Sequence, residues 1–189
     1  PSINSALADP NGLLAVGGDL SPQRILEAYR QGIFPWFSED DPILWWSPDH
    51  RAIIDTQEIR INRTLRKFLK KSPYRISLNQ AFEEVIEYCA DAPFRTEETW
   101  ILPEMQDAYM QLHKLGHAHS VEVWLNEELV GGLYGIAIGG FFSGESMFYT
   151  KPNASKVALV KLAEILRAHK ISFIDCQLSN RFLIDMGCK

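Results

Sequence analysis

Cysteine is scarce in this 189-residue chain, and its three cysteines lack the CxxC spacing typical of zinc and redox motifs. Cys89, Cys176 and Cys188 are an odd number, so the sequence indicates neither a disulfide framework nor a metal site. No apolar run approaches the roughly 20 residues of a membrane span, and no secretory leader is recognisable. We therefore expect a cytoplasmic protein with reduced thiols and no membrane partner.

Acidic residues are absent from residues 60–75, although the whole chain has a formal net charge of −5. Seven of the 19 basic residues lie there: Arg60, Arg63, Arg66, Lys67, Lys70, Lys71 and Arg75. Four of them follow i, i+3, i+4, i+7 spacing from Arg63 to Lys70, which places like charges on one helix face. The segment is either a solvated helix face or a surface that binds RNA or another phosphate-rich partner.

The order of predicted elements indicates the fold class. Ser21 and Pro22 predict a helix N-terminus, and the helix extends over residues 22–31. The pattern further predicts strands at 74–78, 119–125, 129–138, 141–149 and 171–176, with helices at 80–90, 103–115, 154–168 and 180–186, the third of these capped by Asn153. This order resembles that of GCN5-related N-acetyltransferases. We expect an α+β fold with a mixed sheet over residues 61–189, preceded by a small N-terminal domain over residues 1–60.

Carboxylates in apolar strands mark a candidate site. Glu145 interrupts one apolar strand, and Asp175 and Gln177 lie two residues apart on another, so alternation places them on one face. Burying such groups is costly unless they are paired or used. The alternative interpretation makes Asp175 a cap for the following helix and Gln177 a loop residue.

A glycine-rich turn that would hold the pyrophosphate of coenzyme A is missing before the helix at 154–168. Coenzyme A is therefore disfavoured and no cofactor is expected, although Lys151 and Lys156 remain candidates for a phosphate contact. Apolar side chains either line a pocket or belong to the core: Leu133, Phe142, Phe148 and Phe173. Trp36 belongs to a crowd of tryptophans that either pack in the core or stack on a base. Histidines 113, 117 and 119 favour capping roles over metal binding.

Six ordered motifs together resemble the leucyl/phenylalanyl-tRNA–protein transferase family. They are NGLLAVGGDL at 11–20, GIFPWF at 32–37, LWWSP at 44–48, GESMF at 144–148, NASK at 153–156 and IDCQ at 174–177. The resemblance implies a cytoplasmic enzyme that moves Leu or Phe from aminoacyl-tRNA to the N-terminal Arg or Lys of a protein and so marks it for degradation. Leu-tRNA and Phe-tRNA are the implied donors, with some use of Met-tRNA.

The resemblance also implies roles for individual positions. Asp175 and Gln177 match a pair that activates the acceptor amine, and Glu145 matches a third active-site residue. Trp36 and Trp100 match tryptophans that contact the terminal adenosine of the tRNA. The side-chain pocket is matched by Leu133, Phe142 and Ile174, and the tRNA-contacting cluster by Arg63, Arg66, Lys67, Lys70 and Lys71.

One departure accompanies the resemblance. Members of the family continue beyond the position of Lys189, and the fold class has closing strands after the helix near Met186, so we expect those strands to be missing here. Two other classes stay open at this point: an N-acyltransferase that uses an acyl-CoA, and an RNA-binding module without catalytic activity.

Overall fold

The computed structural model describes residues 1–91 and 101–189, so Trp100 lies outside the described residues. Within this part of the chain, a short 3₁₀ turn at Ile3–Ser5 is followed by strands and helices in the order β1 Leu13–Val16, α1 Pro22–Arg30, β2 Phe34–Pro35, β3 Leu44–Trp46, β4 Ala52–Asp55, α2 Arg63–Lys70, β5 Arg75–Leu78, α3 Phe82–Ala90, α4 Pro103–Lys114, β6 Ala118–Leu125, β7 Glu128–Ile138, β8 Phe141–Tyr149, α5 Ala154–Ala168, β9 Phe173–Gln177 and α6 Arg181–Asp185.

Local capping signals explain where helices begin. The Ser21 hydroxyl accepts the backbone N–H of Arg24 at 3.4 Å, and Pro22 occupies the first turn of α1. Asn62 caps α2 in the same way, because its Oδ1 accepts the N–H of Leu65 at 2.8 Å. Asn153 precedes α5 as predicted, but it adopts a left-handed conformation with φ 65° and makes no side-chain capping hydrogen bond.

The larger sheet has six strands in the order β4-β9-β8-β7-β6-β5. Neighbouring strands are antiparallel except β8 and β9, which pair in parallel and are joined by the crossover helix α5. Gly131 lets α5 approach this sheet, because a Cβ at that position would lie 2.5 Å from the Cβ of Ala154. The parallel pair lies inside the sheet, next to the edge strand β4, and its two strands carry Glu145 and Asp175.

Apolar side chains cover both faces of the larger sheet. One cluster joins α1, α3 and α4 to the sheet and includes the buried Tyr29, Tyr109 and Phe148. The other joins α2, α5 and α6 to the opposite face and includes Phe142 and Ile174. Within residues 1–91 and 101–189, none of the helices combines the length and apolar character that crossing a membrane requires.

A second sheet of three strands, β1-β3-β2, precedes the larger one. The sequence pattern did not predict its strands, because they are only two to four residues long. The strand β4 follows within the predicted N-terminal domain of residues 1–60, yet it pairs with β9 in the larger sheet. The domain boundary at residue 60 stays a prediction. In space, β4 belongs to the larger sheet, although its residues precede that boundary in the sequence.

Candidate active site

The candidate site lies where β8 and β9 separate. Their parallel register runs through Phe142↔Ile174 to Ser143↔Asp175, and Glu145 and Gln177 follow just beyond the last pair. Glu145 occupies a β-bulge, since Gly144 pairs with Gly135 while Ser146 pairs with Tyr134. A bulge turns a side chain away from regular alternation, and here it directs the carboxylate into the gap between the strands.

Four side chains hold the Glu145 carboxylate. Tyr29 of α1 donates its hydroxyl to Oε1 at 2.7 Å, and Ser143 donates to the same oxygen at 3.1 Å. Tyr109 of α4 donates to Oε2 at 3.5 Å and lies 2.7 Å from the Tyr29 hydroxyl. The Gln177 amide nitrogen donates to Oε1 at 3.4 Å. Residues from four elements therefore converge on one acidic group.

Burial changes the protonation of this cluster. Desolvation raises the pKa of Glu145 from 4.5 to about 7, partly offset by the hydrogen bonds from Tyr29 and Ser143, while the nearby Asp175 raises it further. Desolvation also raises the pKa of both tyrosines well above their ordinary value. Glu145 can thus exchange a proton near neutral pH, whereas the tyrosines remain neutral donors.

Asp175 is buried and is held at both of its oxygens. Its Oδ2 forms an ion pair with Arg51, and its Oδ1 accepts the backbone N–H of Gln177 at 2.9 Å. Asn180, rather than Asp175, caps α6, because its Oδ1 accepts the N–H of Leu183 at 2.8 Å. The helix-cap alternative for Asp175 is therefore wrong, and the carboxylate belongs to the candidate site.

Gln177 departs from the alternation that the sequence predicts. Its φ of 64° lies in the left-handed region, so the regular strand ends there and the shared face with Asp175 no longer follows from alternation. The side chain nevertheless reaches Glu145. The three predicted residues are brought together by a bulge and a backbone kink, rather than by two regular strands.

A cavity of about 470 Å³ opens beside Glu145. Leu133 and Ile174 line it as predicted, whereas Phe142, Phe148 and Phe173 are not among its lining residues. Phe142 and Phe148 are buried on opposite faces of the sheet, because the bulge at Glu145 reverses the alternation between them. Phe173 stacks on Phe141 with ring centroids 5.5 Å apart.

Several lining residues were missed by sequence reasoning. These apolar side chains come from β8, α5 and α6 and comprise Met147, Leu159, Leu162, Phe182 and Leu183. The apolar face of α5 was visible in the sequence, but a core helix and a pocket wall have the same periodicity. Leu159 and Leu162 thus belong to an ordinary amphipathic helix, and they line the cavity where the separating strands leave that helix uncovered.

Tyr29, Tyr109 and Arg51 were also missed. Each tyrosine interrupts an apolar helix stripe, Ile25–Leu26–Ala28 in α1 and Met105–Ala108–Leu112 in α4. A buried tyrosine hydroxyl requires a hydrogen-bond partner, and this requirement is the signal that was available. Arg51 precedes a short strand with no comparable signal.

The residues predicted to contact nucleic acid lie on the surface. The five basic residues of the cluster are exposed along α2 and its C-cap: Arg63, Arg66, Lys67, Lys70 and Lys71. Lys156 is half-buried in the first turn of α5. Trp36 is 46% exposed and packs edge-to-face against Trp46, with ring centroids 5.8 Å apart. Its exposed ring is therefore available for stacking.

Almost the whole chain matches models of one protein family. The model of the leucyl/phenylalanyl-tRNA protein transferase family matches residues 53–189, and that of its N-terminal domain matches residues 18–49. The chain belongs to this family. A leucyl/phenylalanyl-tRNA–protein transferase from Colwellia psychrerythraea is 62% identical and covers all of this chain and 80% of that protein. One from Shewanella woodyi is 56% identical and covers 99% of this chain and 79% of that protein.

Solved structures share the fold at low identity. FemX overlays with a TM-score of 0.52 and 11% identity, covering 84% of this chain and 60% of that chain. At such identity the likeness concerns the fold alone. The mixed six-stranded sheet and the matched N-terminal domain confirm the predicted α+β class with a mixed sheet, preceded by a small domain.

Proposed function

We propose that this chain transfers Leu or Phe from aminoacyl-tRNA to the α-amine of proteins that begin with Arg or Lys, which marks those proteins for degradation. The observation that supports it most directly is the cluster of Glu145, Asp175 and Gln177 beside the apolar cavity. Family membership supplies the aminoacyl-tRNA donor and the protein acceptor.

The donor is an activated ester, so transfer to an amine is favourable without ATP. The α-ammonium of a peptide has a pKa of about 7.7–8.0, and roughly a tenth is already neutral at pH 7. The enzyme therefore needs to position the amine and accept one proton, rather than create a strong base. No metal or cofactor is required by this chemistry.

Asp175 and Gln177 position the attacking amine. Asp175 fixes Gln177 through the backbone N–H, and the Gln177 amide nitrogen faces Glu145, so its amide oxygen is the acceptor that holds the amine against the ester carbonyl. The nitrogen adds to the carbonyl carbon, and the bond to the tRNA ribose oxygen breaks as the tetrahedral intermediate collapses. The proton that the nitrogen loses passes to that ribose oxygen, so the free tRNA hydroxyl is restored. A backbone N–H or the ribose hydroxyl stabilises the oxyanion.

Glu145 interacts with the positive charge of the acceptor. With a pKa raised to about 7 it becomes a carboxylate when a cationic side chain lies against it, because an opposite charge favours the ionised form. Glu145→Gln should therefore slow transfer to an Arg-initiated peptide more than to a peptide with an uncharged first residue. Equal slowing of both would instead assign Glu145 to the amine step.

The cavity binds the side chain of the transferred amino acid. Leu133 and Ile174 on the sheet and Leu159 and Leu162 on α5 form an apolar wall that suits an unbranched Cβ. A misfit of methylene size in such a pocket costs only about 1–3 kcal/mol. We therefore expect slow but measurable transfer of Val and Ile, and some transfer from Met-tRNA.

The tRNA binds along the exposed basic residues of α2, from Arg63 to Lys71, with a further contact at Lys156. Like charges on one face repel each other, and a polyanion relieves that repulsion. The exposed Trp36 ring stacks on the terminal adenosine, and Trp100 shares this role in the proposal. Affinity for tRNA should fall steeply with salt, because phosphate contacts release counterions.

The test is incubation of the chain with labelled Phe-tRNA and an Arg-initiated peptide, followed by mass spectrometry of the peptide. A peptide extended by one Phe is the expected product, and the same peptide with an acetylated N-terminus is the negative control. Binding of tRNA without transfer would indicate an RNA-binding module. Transfer only from an acyl-CoA would contradict the proposal and favour an N-acyltransferase.

A further inference from the structure

Arg51 joins the N-terminal sheet to the candidate active site. Its Nη1 donates to the Gly32 carbonyl at 2.6 Å, and its Nη2 forms the ion pair with Asp175. The guanidinium also lies over the Phe34 ring, 5.1 Å from the ring centroid. One side chain therefore contacts the end of α1, the strand β2 and the strand β9.

Both partners of the ion pair are largely removed from water. The Arg51 side chain is 22% exposed and that of Asp175 is 9% exposed. The Arg51 Nε is buried and has no hydrogen-bond partner within the described part of the chain. A buried pair with an unpaired donor is a poor source of stability. Its geometry therefore needs a different explanation.

The pair fixes the orientation of Asp175. With Oδ2 held by Arg51, Oδ1 points to the backbone N–H of Gln177 and stabilises the left-handed conformation of that residue. In this conformation the Gln177 side chain reaches Glu145. Asp175 thus transmits the position of Arg51 to the amide that holds the amine.

The same guanidinium also contacts the chain next to α1. Gly32 follows the end of α1, and α1 carries Tyr29, which donates to Glu145. Arg51 therefore links α1, whose Tyr29 contacts Glu145, to β9, which contains Asp175. The guanidinium is thus anchored next to α1, while the backbone pairing of β8 and β9 sets the spacing of the two strands.

We propose that Arg51 is a positioning residue for the transfer reaction: anchored at Gly32, it orients Asp175 and, through Asp175, the Gln177 amide that holds the amine. The inference rests on the proposed function for its kinetic consequence. It extends that function by assigning a role to a residue that no motif indicated.

Arg51→Met is the direct test. Loss of the guanidinium frees the Asp175 carboxylate, and misplacement of a reacting group by about an ångström costs up to 100-fold. We expect the single-turnover rate constant for transfer from Phe-tRNA to fall about 10- to 100-fold, with tRNA affinity within about twofold of wild type. Arg51→Lys should recover part of the rate, because an ammonium keeps the charge but cannot match the planar fork.

Arg24→Met is the matched control. Arg24 forms an ion pair with Asp19 at 3.1 Å in the same N-terminal region, with side chains 53% and 62% exposed. This variant should transfer at the wild-type rate. Thermal melting of each variant shows whether it is folded. If Arg51→Met does not fold, the transfer rate of Arg51→Lys is compared with that of Arg24→Met instead.

A double variant separates positioning from general loosening. If Arg51 acts through Asp175, Arg51→Met should have little further effect on transfer in an Asp175→Asn background. Losses that multiply in the double variant would overturn the inference. An Arg51→Met enzyme with wild-type transfer would overturn it as well.

A titration tests the inference without activity. The groups that face Glu145 are Tyr29, Tyr109 and the carboxylate of Asp175, and Asp175 raises the pKa of Glu145. Removing the Arg51 cation leaves the negative charge of Asp175 less compensated. The pKa of Glu145 should therefore rise further in Arg51→Met, and it should stay unchanged in Arg24→Met. Carbon NMR of carboxyl-labelled glutamate measures this shift. An unshifted Glu145 contradicts the inference, whereas absent transfer by the wild-type chain contradicts only the proposed function.

Discussion

Two groups of charged residues are held in opposite ways. The basic residues of α2 are exposed and lie at helical spacing on one face. The carboxylates of Glu145 and Asp175 are enclosed, and side chains from distant elements hold them. Exposed charges attract a partner from a distance and tolerate small displacements, whereas enclosed groups set the geometry of reacting atoms. Substitutions in each group show whether the two groups differ in this way.

The largest effect is expected at Asp175. Asp175→Ala removes the contacts to Arg51 and to the backbone of Gln177, so the amide loses its orientation. We expect the single-turnover rate constant for transfer to fall by about 100-fold or more. The matched control is Asp185→Ala, which breaks an exposed ion pair with Arg181 at 3.3 Å. A rate within a few-fold of wild type for Asp175→Ala would show that the assignment is wrong.

Glu145 should make stability depend on pH. The folded protein holds its proton more tightly than the unfolded chain, because the pKa rises from 4.5 to about 7. The free energy of unfolding therefore contains a contribution that is complete below pH 4.5 and is lost as the pH rises to 7. A shift of this size corresponds to about 3 kcal/mol.

Glu145→Gln removes this titration. Between pH 5 and pH 8, wild type should lose about 2–3 kcal/mol of unfolding free energy that the variant does not lose. The difference in unfolding free energy, variant minus wild type, should therefore increase by this amount over that range. Urea unfolding at the two pH values measures the increase. Glu164→Gln, which alters an exposed pair with Lys161, is the control and should show no such difference. An identical pH dependence of wild type and Glu145→Gln would contradict the enclosed environment of this carboxyl.

Local signals explain why much of the fold was predictable. Caps and apolar periodicity placed α1 and α5 within a residue or so of their observed bounds. The basic face of α2 follows from spacing alone. Glu145 and Asp175 could be assigned to neighbouring strands because the element order already indicated the fold class. These features depend on residues close together in sequence, or on a known arrangement of strands.

Long-range contacts explain what the sequence did not reveal. The contacts of Arg51 with Asp175 and of Tyr29 with Glu145 join residues separated by 124 and 116 positions. The bulge at Glu145 reversed the side chains after it, so Phe148 lies in the core rather than beside the cavity. Tertiary packing decides both features, and no short pattern encodes them.

The basic face of α2 should show a graded response. Lys67→Gln and Lys70→Gln each remove one phosphate contact, so the slope of log affinity against log salt should decrease by about one unit per substitution. The single-turnover rate at saturating tRNA should not change, because neither residue lies near Glu145 in the proposal. Filter binding at several salt concentrations measures the slope. Lys114→Gln on α4 is the control, and an equal change in its slope would contradict a localised tRNA surface.

The smallest effect is expected inside the cavity. Leu133 is 3% exposed and lines the cavity next to Glu145. Leu133→Met conserves volume, and such replacements usually cost less than about 1.5 kcal/mol. The ratio of transfer from Leu-tRNA to transfer from Phe-tRNA should therefore change by less than about tenfold. Leu112→Met, in the apolar cluster on the other face of the sheet, should leave this ratio unchanged. If the two substitutions alter the ratio equally, the cavity does not bind the amino-acid side chain, because selectivity would then respond to packing anywhere in the molecule.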